Sequence, residues 1–345
     1  METSTSQSLG RKPRVLSIAS PSYAGDDFVS KFQSTCDLHI ILPSDRKGTV
    51  QAISDARNSD GPFDAVLIGM GNGGYERFDE GLLGPLLPEL KIVASVNAGY
   101  SEFDMEWFNK NKIAVTNTVD AVAEPTADIA IFLMLGALRD TSRLEAEIRN
   151  GGWRGGSKLP LLDPKGRTLG VIGMGKIGKH VARKSQAFGM DVQYYNRTRL
   201  SPEEESCLSV EYAGSLEALL KISDVLSINC PLTPETRGLI CSEEFAKMKD
   251  GVILVNTGRG AVVDEAAFIE ALESGKVARA GLDVFDREPN VKPGSSYFRN
   301  STRCIVQPHM GSWTDVAWGN AYREAMDNIT AFFANGKAIS QANSF

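Results

Sequence analysis

Six residues, Gly173-Met174-Gly175-Lys176-Ile177-Gly178, restrict the fold of this chain more than any other segment. They read Gly-x-Gly-x-x-Gly. The apolar run 168–172 precedes them, and a helical pattern from Lys176 to Phe188 follows. The first glycine permits a tight turn from strand to helix. The second lets backbone approach a bound group, and the third lets helix pack on strand. The helix N-terminus then offers free N–H groups and a positive dipole end to an anion. In this context the six residues predict the pyrophosphate site of a dinucleotide.

The rest of the chain repeats the same grammar. Short apolar runs at 15–19, 39–42, 65–69, 91–95 and 113–116 read as buried strands, with helical spacing between them. The alternation pauses at Asp120. One long helix is expected from Pro125 to Asn150, apolar early and amphipathic later. Strands resume at 168–172, 191–195, 224–229, 252–256, 278–282 and 304–306, and a final amphipathic helix covers 314–334. This predicts an α/β chain of two doubly wound parallel-sheet domains with a crevice between them. The expected division is a disordered tail over 1–14, one domain over 15–122 completed by 312–345, and a dinucleotide-binding domain over 123–311. The length of 345 residues agrees with two domains.

Composition narrows the function. A net charge of −6 disfavours a nucleic-acid binder. The longest apolar run, 129–138, is too short to span a bilayer. No apolar secretory segment precedes Val15, so the cytoplasm is the default. Five cysteines, without a Cys-x-x-Cys pair, point to a reducing compartment and to no metal site. There are only three histidines, His39, His180 and His309. His39 falls in a strand and His180 on the helix after the glycine loop, so both read as structural.

The strand at 191–195 decides the kind of dinucleotide. A carboxylate at its end would bind a ribose 2′-hydroxyl and repel a 2′-phosphate. Here that position holds Asn196, with Arg197, Thr198 and Arg199 beside it. Repulsion is absent and donors are offered, which predicts NADP, with NADPH preferred and NAD possible. The competing reading is two arginines that merely solvate a loop.

Three polar motifs end later strands: Asn256-Thr257-Gly258-Arg259-Gly260, Gly281 to Pro289, and Gln307-Pro308-His309-Met310-Gly311-Ser312. Ligands of open α/β sheets bind beyond such ends. A guanidinium can hold a carboxylate or carbonyl oxygen, an imidazole can donate a proton, and a carboxylate can orient the imidazole. Arg259, His309 and Glu288 fit these roles, with Asp286 the nearest competitor of Glu288. The set suits hydride transfer to a carbonyl.

With these motifs, and with Pro231-Leu232-Thr233-Pro234-Glu235-Thr236, the sequence resembles the D-isomer-specific 2-hydroxyacid dehydrogenases from about Val15 to Phe333. Within them it looks like the glyoxylate/hydroxypyruvate reductase branch. The stretches 195–200, 288–291 and 309–313 are most like fungal members, D-mandelate dehydrogenases among them. The resemblance implies a flavodoxin-like substrate domain beside a Rossmann nucleotide domain. It implies Arg259, Glu288 and His309 as the catalytic three, and backbone N–H groups of Ala98 and Gly99 on the substrate carboxylate. It further implies Thr126, Cys230, Pro231, Thr236, Thr257, Gly258, Arg259, Asp283, His309 and Gly311 as residues lining the cofactor. The implied product is a D-2-hydroxy acid made from a 2-oxo acid, and the implied assembly a homodimer through the nucleotide domain. The stretch 125–153 would be its arm, or else a buried interdomain helix. Trp313 stands where many relatives carry a small residue. It either walls the substrate pocket or packs the final helix. Gly155 and Gly156 replace a bulky residue, which leans toward substrates larger than glyoxylate. The alternative function is a dinucleotide-sensing corepressor-like protein, which shares the fold and the Arg/Glu/His set.

Overall fold

Runs of four or five branched apolar residues, bounded by polar turns, form strands buried on both faces, as parallel sheets require. The computed structural model describes residues 11–42, 45–69, 77–154, 161–286, 288, 291, 298 and 301–345. The chain divides into two compact units, Met1–Val122 with Trp313–Phe345, and Ala123–Ser312.

The first unit contains β1 (Arg14–Ile18), β2 (Asp37–Ile41), β3 (Ala65–Ile68), β4 (Ile92–Ser95) and β5 (Ala114–Thr116). They pair in the order β2-β1-β3-β4-β5, all parallel. This is the flavodoxin-like order, with its switch point between β1 and β3. Every residue of β3 and β4 is buried. The last helix, Asp315–Asn335, buries Ala321, Tyr322, Ala325, Met326 and Ile329 against Ala65, Leu67, Ile92 and Ala94 of this sheet.

The second unit contains β6 (Thr168–Ile172), β7 (Asp191–Tyr195), β8 (Glu211–Tyr212), β9 (Val225–Ile228), β10 (Val252–Asn256), β11 (Val277–Leu282) and β12 (Cys304–Val306). Their order is β12-β11-β10-β9-β6-β7-β8, again parallel. Counted from β6, this is the dinucleotide-binding order with one strand added, and its switch point lies between β6 and β9.

Three expectations change. The helix expected over 125–150 is two helices, Asp120–Leu138 and Thr141–Arg149. Asp140 breaks it with a left-handed backbone, φ 54°. The Asp140 carboxylate accepts from Arg143 at 2.6 Å. Arg279, on β11, donates to the carbonyl oxygens of Ala137 and Leu138. Those carbonyls, orphaned at the helix end, are thus satisfied from the sheet. The helix Asp120–Leu138 is also long and apolar enough to cross a membrane by length and composition. Here Ala127, Ala130, Leu133, Met134 and Leu138 instead join the core with Leu169, Val171 and Val255. Finally, the tail expected over 1–14 is held from Arg11 onward. Arg11 pairs with Asp64 at 2.7 Å, and the Arg14 N–H donates to the same carboxylate. Positions 1–10 lie outside the described residues, as does the pair Gly155-Gly156.

Close approach of that helix to β11 requires Gly281. A Cβ there would lie 2.5 Å from Leu133 Cβ and 3.0 Å from the Leu133 carbonyl oxygen. Gly281→Ala is expected to destabilise the protein by about 1–3 kcal/mol, the scale of core overpacking. Urea unfolding reads this directly, and an unchanged midpoint would contradict the packing described.

Candidate active site

The glycine loop follows β6, on the carboxyl side of the switch point. Gly173 has φ +97°, and a Cβ on it would lie 2.6 Å from the Cys230 backbone nitrogen. A Cβ on Gly178 would lie 2.2 Å from the Gly173 carbonyl oxygen. Both glycines are therefore needed where they stand. Nothing lies within 4 Å of the place a Gly175 Cβ would take, so that side is open for a bound group. The helix Lys176–Gln186 begins at Gly175 without a side-chain cap. Its dipole therefore presents a positive end to an anion. Met174 differs from its neighbours. Its side chain is buried, and its N–H donates to Asn196 Oδ1 at 2.6 Å. Ile177 packs on the same core, and Lys176 is exposed.

At the end of β7, Asn196 therefore braces the glycine loop. Arg197 and Thr198 are exposed beyond it. Arg199, which the sequence offers as a further donor, is paired with an acid. Its guanidinium makes two bonds to Glu205, at 2.8 and 2.7 Å.

The ends of β9 and β10 form the next wall. Burial pushes the Cys230 thiol up to about 11, so it stays neutral. Thr236 Oγ1 accepts the Thr233 N–H and donates to the Pro231 carbonyl, both at 2.7 Å, which shapes the loop carrying Pro231. Among the described residues, Thr257 Oγ1 and Asn229 Oδ1 are buried without a hydrogen-bond partner. Buried polar atoms without partners call for a ligand or water. With the uncapped helix and the open face of Gly175, they show that the donor set fits a dinucleotide. Asn229 was missed from sequence. The signal was available, since it ends an apolar strand at the sheet's carboxyl edge.

The three candidate catalytic side chains, Arg259, Glu288 and His309, follow the ends of β10, β11 and β12. Arg259 sits between two glycines, where a Gly260 Cβ would fall 1.9 Å from the Phe285 carbonyl carbon. Asn256 holds the turn, accepting the Gly258 N–H and donating to the Arg259 carbonyl, both at 3.0 Å. His309 Nδ1 lies 2.6 Å from Glu288 Oε2. The other oxygen, Glu288 Oε1, accepts the Phe285 N–H at 2.6 Å. It is thus Glu288, not Asp286, that meets the imidazole. Burial pushes the Glu288 carboxyl up. The His309 bond and charge, the Phe285 N–H and the Arg259 charge outweigh it and hold the group below its usual value. Glu288 is therefore an anion at neutral pH, aimed at the imidazole.

Asp283 fixes this loop. Its carbonyl accepts the His309 N–H at 2.8 Å, and its carboxylate accepts the Met310 and Gly311 N–H groups at 2.7 and 2.8 Å. His309 consequently adopts a left-handed backbone, φ 57°. Gly311 leaves space for Asp283 and for Thr126, whose Cγ2 would lie 3.2 Å from a Cβ there.

In the first unit, Ala98 and Gly99 follow β4. Asn117 donates to the Ala98 carbonyl at 2.6 Å. Among the described residues, the N–H groups of Ala98 and Gly99 meet no acceptor. Trp313 packs on Trp318 with ring centroids 4.7 Å apart, yet is 54% exposed. His39 lies between Asp37 and Asp60, and His180 is half-buried on its helix.

Asp283→Asn removes one of two acceptors, stranding the N–H of Met310 or Gly311. The expected cost is about 1–3 kcal/mol of stability, the scale of an abandoned buried donor. Chemical denaturation measures it, and an unperturbed variant would show that the carboxylate does not hold the loop.

Residues 131–311 match the family model described as D-isomer specific 2-hydroxyacid dehydrogenase, NAD binding domain. A dehydrogenase of Hormonema carpetanum, efuE, is 47% identical over 332 residues, 96% of this chain and 82% of the relative. The crystal structure of a glyoxylate reductase from Paecilomyes thermophila superimposes with a TM-score of 0.86 at 36% identity, covering 96% of this chain and 98% of that one. Apo D-mandelate dehydrogenase of Rhodotorula graminis also gives 0.86, at 31% identity, covering 97% and 98%. The chain belongs to the D-isomer-specific 2-hydroxyacid dehydrogenases, oxidoreductases with a Rossmann domain for a nicotinamide dinucleotide.

Proposed function

We propose that this protein reduces a 2-oxo acid to a D-2-hydroxy acid with NADPH in preference to NADH. The observation that carries the chemistry is the 2.6 Å bond between His309 and Glu288, with the Arg259 charge beside it. The uncapped glycine-loop helix, Thr257 and Asn229 would hold the dinucleotide, and Arg197 and Thr198 its 2′-phosphate. When bound, the nicotinamide supplies a hydride to the carbonyl carbon. His309 gives its Nε2 proton to the carbonyl oxygen as the C=O double bond becomes a C–O–H single bond. Glu288 accepts from Nδ1, which orients the ring and stabilises its cationic form. Arg259 and the N–H groups of Ala98 and Gly99 bind the substrate carboxylate. Trp313, half exposed, is the residue proposed to meet the substrate's side chain. Gly155 and Gly156, in place of a bulky residue, lean the proposed preference toward 2-oxo acids larger than glyoxylate. The relatives named for glyoxylate and D-mandelate bracket the range of size.

A kinetic screen tests this reading. Glyoxylate, hydroxypyruvate, phenylglyoxylate and branched 2-oxo acids are each offered with NADPH and with NADH. The expected NADPH:NADH ratio of kcat/KM exceeds one, and a ratio below one defeats the cofactor preference. His309→Gln should lower turnover by roughly 10²–10⁴-fold, the scale of general acid catalysis, with cofactor affinity retained. Near-normal turnover would remove His309 from the mechanism.

We propose that the protein is a homodimer. Phe132, Ile148 and Trp153 are all more than half exposed on the stretch expected to form the arm. All five cysteines are free thiols, which supports a reducing compartment, the cytoplasm by default. Sedimentation at a single-chain mass would overturn the first statement, and fractionation into an oxidising compartment the second.

A further inference from the structure

The turn between β7 and the helix Pro202–Leu208 is anchored at both ends and open in the middle. At its entry, Asn196 Oδ1 accepts from Met174, and the Tyr195 carbonyl accepts the Gly173 N–H at 3.0 Å. At its exit, the Leu200 N–H donates to Tyr194 Oη at 2.9 Å. That hydroxyl donates in turn to Glu205 Oε1 at 2.5 Å. Glu205 also takes both bonds from Arg199, whose guanidinium lies 5.3 Å from the centre of the Tyr212 ring. Tyr194 is fully buried, so the anchor reaches the core. Between the anchors stand Arg197 and Thr198. Among the described residues Arg197 forms no hydrogen bond or ion pair, although Glu235 feels its charge.

The charges of this cluster are constant near neutrality. The Arg199 and Tyr194 bonds hold Glu205 at about 2, and burial with the Glu205 bond pushes Tyr194 up to about 12. The Arg199 cation is thereby spent on Glu205. Arg197 is the guanidinium left to meet an anion.

We infer that Tyr194, Arg199 and Glu205 form a clamp that places Arg197 and Thr198 for the 2′-phosphate, and so sets the preference for a phosphorylated dinucleotide. The three are positioning residues. The inference rests on the proposed NADPH preference and assigns how it is achieved. The physical reason is geometric. A guanidinium gains most from a phosphate when two N–H groups align with two oxygens. A short turn fixed at one end only would spread Arg197 over many positions, each costing entropy on binding. The second anchor removes that spread.

Calorimetry on the whole protein, with adenosine 2′,5′-bisphosphate and 5′-AMP as probes, tests the clamp. Wild type is expected to favour the bisphosphate by about tenfold or more, and Arg197→Ala to lose that preference. Tyr194→Phe and Glu205→Gln should each reduce it about 3–10-fold, the scale of one charge-assisted hydrogen bond, with 5′-AMP affinity held within about twofold. The NADPH:NADH ratio of KM should move by the same factor, with kcat at saturating cofactor unchanged. Tyr194→Phe keeps the ring, so the test stands if Glu205→Gln does not fold.

A wild type without preference defeats the NADPH reading and the clamp with it. Preference lost in Arg197→Ala but intact in Tyr194→Phe and Glu205→Gln defeats the clamp alone. Equal weakening of both probes means a merely structural network, which also overturns it. Tighter bisphosphate binding by Glu205→Gln means that released Arg199 reads the phosphate itself, and overturns it too.

Discussion

The carboxylate of Asp283 is buried at the end of β11 and accepts two backbone N–H groups of the next strand's loop. Burial raises its pKa despite those bonds, so the carboxylate is held at an electrostatic cost that they only partly offset. What this secures is the direction of one peptide. His309 must take a left-handed backbone to follow the path that Asp283 sets, a conformation few non-glycine residues accept. Its ring then reaches Glu288, which is itself tied to the Phe285 N–H. The imidazole is thus fixed from both sides, by its backbone and by Nδ1. In the proposed role of proton donor, a ring so fixed would need little reorganisation.

The same economy governs the dinucleotide side. Gly173 and Gly178 are required by contact distances below any real Cβ separation, while the space beside Gly175 is open. The three glycines of the fingerprint therefore act differently, two by packing and one by access. Asn196 adds a constraint between adjacent strand ends, because its side chain takes the Met174 N–H. At a position where a carboxylate would read a ribose, the amide here braces the glycine loop.

The sheets were legible because the central strands, β1, β3, β4, β6, β9 and β10, are short runs buried almost throughout. β6, β7, β10 and β12 fall on the expected residues. β8 was not legible, since two residues, Glu211 and Tyr212, carry no pattern. The break at Asp140 was not legible either. It depends on Arg279, about 140 residues later in the chain, satisfying the last carbonyls of the helix. The catalytic candidates were readable because histidine is scarce and strand ends are where ligands lie. Glu288 and Asp286 were not separable in sequence, because two acids two residues apart differ only in which one the turn directs to the imidazole.

Arg199 shows the limit in its clearest form. In sequence it is one of two arginines flanking a threonine, equivalent to Arg197 as a phosphate ligand. Its partner lies within Glu203-Glu204-Glu205, where composition does not distinguish the three acids. The fold distinguishes them. Glu204 closes the capping box with Ser201 and pairs with Lys179, whereas Glu205 turns inward to Tyr194 and Arg199. Once Glu205 is inside, Arg199 must follow, because a carboxylate so nearly buried is costly without a cation. A side chain that reads as a free cation is thereby paired within its own turn. Local charge counts overstate the number of unpaired groups wherever such an acid lies a few residues away.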